Sequence, residues 1–155
     1  MILKSFEIKK INQNINNLIL FYGKNEGLKS EAINILVKDK NNISYYEEKE
    51  ILDNEDNFIE TILSKSLFDS QKFVVIKRAT DKILKIIENL QEKNLEDTKI
   101  ILNSENLEKK SKLRSFFEKS KTLVCVAFYP DNDQTLSKLA YNFLREKKIQ
   151  FLPQI

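Results

Sequence analysis

Short apolar runs that alternate with helical patterns constrain this chain more than any other feature. Five such runs recur: Leu18 to Tyr22, Ile43 to Tyr46, Phe73 to Ile76, Lys99 to Leu102 and Leu123 to Phe128. All but the second are near-continuous, the pattern of strands covered on both faces. The intervening segments carry apolar residues at helical spacing. Leu28, Ala32, Ile35 and Leu36 form one stripe, and Phe58, Ile59, Ile62 and Leu63 a second. Ile83, Leu84, Ile86, Ile87 and Leu90 form a third, with Thr80 as its N-cap. Leu113, Phe116 and Phe117 mark a short basic helix. Leu136, Leu139, Ala140, Phe143 and Leu144 close the series, with Asp133 as a cap. Alternating strands and helices predict an α/β fold with a mainly parallel sheet of about five strands and helices on both faces.

Composition narrows the chemistry. The chain has 155 residues, enough for one domain with one proper core. It has no histidine, which excludes histidine triads, histidine bases and histidine metal ligands. Its single cysteine, Cys125, lies inside an apolar run and reads as a small core hydrophobe. No intrachain disulfide can form, so a reduced cytoplasmic setting is expected. No apolar run approaches a membrane span. The net charge of +3 permits nucleic-acid contact without arguing for it.

The only two glycines, Gly23 and Gly27, both follow the first of these runs. Leu18 to Tyr22 leads into Gly23-Lys24-Asn25-Glu26-Gly27-Leu28-Lys29-Ser30 and then a helical pattern. This is the layout of a phosphate-binding loop: strand, glycine turn, and a Lys-Ser pair opening a helix. The second glycine is displaced, and Leu28 stands where the backbone should wrap closely. A magnesium-holding carboxylate should end a later central strand. The best such strand, Phe73 to Ile76, ends instead in Lys77-Arg78, and Asp81 reads as a helix-start residue. Gly23, Gly27, Lys29 and Ser30 therefore make a degenerate nucleotide site that is not expected to bind, or else a plain strand-to-helix turn. Neither a cofactor nor a metal is expected.

In order along the chain stand Leu20-Phe21-Tyr22-Gly23-Lys24-Asn25-Glu26-Gly27, Ser66-Leu67-Phe68, Lys72-Phe73-Val74-Val75-Ile76, Ile100-Ile101-Leu102, Leu107 to Arg114 with Phe116-Phe117-Glu118, and Val126-Ala127-Phe128-Tyr129. This succession resembles the N-terminal domain of the delta subunit of bacterial DNA polymerase III, from the clamp-loader complex. The resemblance covers nearly the whole chain. It implies a RecA/AAA+-like P-loop NTPase fold without ATPase activity, which binds the ring-shaped sliding clamp and favours its opened interface. The family's clamp-contacting Leu-Phe pair maps onto Leu67 and Phe68. Residues 1–148 correspond to the clamp-binding domain, and 149–155 to the start of a truncated linker to a second, helical domain. The other loader subunits would be met through a C-terminal region absent here, leaving a monomer in isolation. DNA contact would be indirect or weak, and the setting cytoplasmic and nucleoid-associated during replication.

Leu67-Phe68 has a physical logic of its own. The preceding helix already has its core stripe, and Asp69-Ser70-Gln71-Lys72 supplies a polar rim. A protruding pair of this kind makes a good anchor, because it brings much apolar area with few rotamers to freeze. The plainer alternative is a seal at the helix end. Lys109, Lys110, Lys112 and Arg114, with Lys119 and Lys121, are candidates for contact with DNA or a neighbouring subunit, or else a solvated helix face. Asn103 reads as a turn residue. The rivals to a clamp-loader module are an active P-loop ATPase or kinase using Lys29 and Ser30, and a generic α/β interaction domain.

Overall fold

Every expected strand forms, and one more joins them. The computed structural model describes residues 1–64, 70–130 and 132–147. Among the described residues the strands are β1 (Ile2–Lys4), β2 (Leu18–Tyr22), β3 (Ile43–Glu47), β4 (Lys72–Lys77), β5 (Thr98–Asn103) and β6 (Val124–Ala127). They pair in the order β1-β6-β2-β5-β4-β3, and every pairing is parallel. The sheet thus has six strands and is wholly parallel, where sequence pattern predicted about five and mainly parallel. The added strand was hidden because it is three residues long and buries only Leu3, while Ile2 stays 64% exposed.

The helices are α1 (Glu26–Leu36), α2 (Glu48–Asp53), α3 (Glu55–Leu63), α4 (Leu84–Gln91), α5 (Lys112–Lys119) and α6 (Asp133–Glu146). Alternate residues of the central strands feed two cores, as the two-residue period of a strand requires. Leu18, Leu20, Tyr22, Val74, Ile76, Ile100 and Leu102 pack under α2 to α5 with Phe58, Ile87 and Phe117. Ile19, Phe21, Phe73, Val75, Ile101 and Val126 pack under α1 and the 3-10 segment Ser5–Lys10. This two-faced α/β architecture is consistent with the RecA/AAA+-like fold expected. Cys125 is a buried free thiol within the first core, and burial pushes its pKa up to about 12.

Two helical faces differ from the predicted stripes. In α1 the buried residues are Lys29, Ala32, Ile33 and Leu36, while Ile35 is 46% exposed. Burial of a lysine, which no apolar count includes, rotates the helix away from the predicted face. In α6 the periodicity is real, but Leu136, Leu139 and Phe143 remain about half exposed. Its first helical residue is Asp133 itself. No helix among the described residues is long and apolar enough to cross a membrane.

Asp81 does open a 3-10 turn, Asp81–Ile83, capped by Thr80 as expected. It also reaches a helix far along the chain. Its carboxylate accepts from the Lys112 and Leu113 amides at 3.1 and 3.0 Å and from the Ser111 hydroxyl at 2.6 Å. Ser111 Oγ in turn accepts from the Arg114 amide at 3.1 Å, capping α5. A negative charge at a helix N-terminus is favourable. Desolvation is the largest single influence on the Asp81 carboxyl and raises its pKa. The hydrogen bonds from Ser111, Leu113 and Lys112 together outweigh it and hold the group below the ordinary 3.8. A depressed folded pKa gives stability that is present above 3.8 and lost as pH falls through the folded value. Asp81→Asn should therefore flatten the loss of stability below pH 3.8, measured by urea midpoints across acid pH. An unchanged acid slope would contradict this cap.

Candidate functional site

The turn after β2 lies where the chain reverses direction across the sheet, between the exits of β5 and β6. Such a switch point at the carboxyl ends of parallel strands is where ligands of α/β folds bind. Here the turn is fastened to both neighbours. Phe21 O accepts from Ser104 N, and Tyr22 O accepts from Phe128 N, both at 2.8 Å. Gly23 N donates to Glu105 O at 2.9 Å, and Asn25 N to Phe128 O at 3.4 Å. Gly23 has φ +121°, and a Cβ there would stand 2.0 Å from the Phe128 carbonyl oxygen. Glycine at 23 is therefore required twice, by backbone conformation and by space.

Asn25 occupies the helix start that a phosphate would use. Its Oδ1 accepts from Leu28 N at 3.1 Å, and its Nδ2 donates to Tyr129 O at 3.2 Å. Glu26 N turns back to Lys24 O at 3.0 Å. Gly27 is not a turn glycine, contrary to the reading from sequence. It lies within α1, and a Cβ there would meet nothing nearer than Asn25 Oδ1 at 3.7 Å.

Lys29 is fully buried and points inward. Its ammonium donates to Ser104 O at 2.7 Å and to Glu26 Oε1 at 2.5 Å. An ammonium in this setting needs such partners, since an unpaired buried charge is costly. Ser30 is exposed. The Ser104 hydroxyl, also buried, lacks a hydrogen-bond partner among the described residues. At the end of β4, Lys77 lies over the Tyr45 ring at 5.0 Å, and Arg78 Nε donates to Glu47 at 2.9 Å. Both cations are thus engaged with β3. Asn103 is the last residue of β5, paired in register with Phe21 and Lys77, and its carbonyl accepts from Ala79 N at 3.2 Å. These donors do not fit a magnesium nucleotide. The Gly23, Asn25 and Glu26 amides face protein carbonyls, the lysine is turned in, and β4 ends in Lys77 rather than a carboxylate. Among the described residues, no group of three or more acids or cysteines stands together as a metal site.

The basic segment divides. Lys109, Lys110 and Lys112 are exposed, with Lys110 at 3.0 Å from Glu108. Arg114 belongs to the interior scaffold. Its side chain is 17% exposed, bonds Glu118 at 2.8 Å and Leu107 O at 2.9 Å, and stacks 4.8 Å from the Tyr22 ring centre. Phe117 is buried and Phe116 packs beside it. Leu67 and Phe68 lie outside the described residues. The flanking described chain leaves α3 at Leu63 and enters β4 at Lys72.

No protein-family profile matches the chain, and no curated protein matches it in sequence. Among solved structures, its fold is similar to the Bacillus subtilis DNA clamp loader delta protein (YqeN), with a TM-score of 0.66 at 17% sequence identity. The likeness covers 92% of this chain and 46% of that one, so this chain spans less than half of that neighbour's length. At this identity it shows the fold alone.

The two glycines give a sharp contrast. Gly23→Ala should cost more than about 3 kcal/mol, because strain at positive φ of order 1–3 kcal/mol adds to a clash with backbone. Gly27→Ala should be neutral or stabilise by up to about 1 kcal/mol, the helix preference for alanine. Urea denaturation of both variants checks this. Equal effects would contradict the turn geometry.

Proposed function

We propose that this chain is a clamp-loader delta-type module that binds the sliding clamp and helps open it, without hydrolysing ATP itself. The carrying observation is the similarity in fold to a clamp loader delta protein over 92% of the chain. The inward-turned Lys29 supports it, because a scaffold of this kind with its loop committed to internal bonds is suited to binding work rather than phosphoryl transfer. The work would serve replication within the DNA polymerase III holoenzyme, in the cytoplasm, with DNA contacted indirectly or weakly through exposed Lys109, Lys110 and Lys112. Residues 1–148 form the clamp-binding domain on this reading.

Leu67 and Phe68 are the anchor. Inserted into an apolar pocket on the clamp, they bring large buried area at small rotameric cost. Opening needs nothing more than differential binding: the module stabilises the open ring by as much as it binds that state more tightly. The direct test is a binding titration with purified cognate sliding clamp. The native chain should bind, and Leu67→Ala/Phe68→Ala should bind about 30-fold more weakly or worse, the size of one 2 kcal/mol hot spot. Both variants should melt alike. Equal binding by the two chains, or none by either, would sink the assignment.

A further inference from the structure

An aromatic ring stands in water on the layer that covers the second core. Within the 3-10 segment Ser5–Lys10, Ile8 is buried, whereas Phe6 is 72% exposed. Two ammoniums from distant parts of the chain meet at its ring. Lys4 Nζ lies 5.8 Å from the ring centre, and Lys138 Nζ, on α6, lies 5.3 Å from it. Neither lysine makes an ion pair among the described residues. Glu7, the nearest carboxylate in sequence, is taken by Lys10 and the Lys4 amide.

We propose that this surface binds single-stranded nucleic acid, stacking a base on Phe6 and holding the adjoining phosphates with Lys4 and Lys138. The inference does not depend on the clamp-binding reading. Gathering like charges at one point is unfavourable, and an anion between them relieves it. A flat exposed ring is matched by a flat, polarisable partner. A nucleotide strand supplies both groups at once: its base takes the ring face, and its phosphates receive the ammoniums that the base displaces. Aromatic platforms bordered by cations are how proteins hold single strands. A carboxylate-rich peptide would satisfy the lysines and leave the ring unused. A duplex keeps its bases inside the stack.

Room for the strand lies beside the ring. Phe6 forms one wall of a cleft of about 330 Å³ between the 3-10 segment, α1 and α6, at the lower end of the roughly 300–1,000 Å³ of small-ligand clefts. Leu28, Ala32 and Ile35 on α1, with Phe128 and Leu139, give it an apolar lining. Ile35 and Leu139 are about half exposed, so an apolar patch continues from the ring into the cleft. The polar lining is Ser5, Lys9 and Glu31. Glu31 repels phosphate and can accept from the N–H groups of a base, so it favours bases in the cleft and backbone on the lysine side. Lys9 is exposed and adds a third cation. Lys109, Lys110 and Lys112 lie at the start of α5, which packs on the other face of the sheet. The two basic surfaces are therefore separable by mutation.

Fluorescence anisotropy with labelled decathymidylate at about 0.05 M salt compares the native chain, Phe6→Leu and Lys4→Gln/Lys138→Gln. Phe6→Leu keeps apolar area and removes the stacking ring, and at so exposed a position it should melt like the native chain. It should bind at least about fivefold more weakly, the lower end for one stacked base. The lysine variant should lower the slope of log affinity against log salt by roughly 1.4, for two phosphate contacts on a single strand. Native affinity in Phe6→Leu, an unchanged slope in the lysine variant, or no binding by the native chain overturns the proposal. A second measurement uses the native chain alone, so it stands whatever the variants do to folding. The ring-proton NMR signals of Phe6 should move upfield as decathymidylate is added and stay in place with decaglutamate. No movement with decathymidylate, or an equal one with decaglutamate, overturns the site. Neither result bears on the clamp titration, which stands or falls on its own.

Discussion

The Lys29 ammonium, fully buried and held by the Ser104 carbonyl and Glu26, is the contact around which the loop end of this protein is arranged. A charge at zero exposure persists only where donors and acceptors are matched. Bringing it inside turns α1 so that Ile33 packs and Ile35 faces solvent. It ties the start of α1 to the exit of β5, as the Gly23 amide also does through the Glu105 carbonyl, while Asn25 ties the turn to the exit of β6. In a working phosphate loop, lysine and amides serve a ligand. Here the Ser104 carbonyl receives the lysine and the Glu105 and Phe128 carbonyls receive the Gly23 and Asn25 amides, so the strand ends are joined directly.

Much of this was legible in the sequence, for a physical reason. Strands covered on both faces must be apolar throughout, and β2, β4, β5 and β6 announce themselves in that way. What escaped lacked such a signature. Strand β1 buries one residue, and α2 is only six residues long. The face of α1 was misread because Lys29 is part of what it buries. Asp81 capping α5 joins positions about thirty residues apart, which no local pattern reveals. Arg114 looked like a surface cation by composition but folds back over Tyr22. The stripe on α6 was read correctly as a stripe, yet periodicity states that a face is apolar without stating what covers it. Gly23 could be suspected from its rarity and position, whereas Gly27 shares both and is spatially unconstrained. Leu67 and Phe68 were singled out by resemblance and by their excess over the core stripe of α3, not by any spacing rule.

The two ends of the sheet carry different tasks in this account. The strand-exit end, where α/β proteins usually take a ligand, is closed by its own bonds. At the strand-start end, Lys9, Lys38 and Gln71 line an open groove. A binding module benefits from this division. A rigid exit end fixes the sheet, and the sheet presents the other end without dependence on a nucleotide.

The account stands on the loop being an internal brace, and calorimetric titration of the folded chain with Mg-ATP addresses that most directly. The predicted result is no heat beyond dilution as the nucleotide is raised through the concentrations at which P-loop proteins saturate. Saturable binding with a micromolar dissociation constant, weakened by Lys29→Ala, would contradict it and return the loop to service as a nucleotide site.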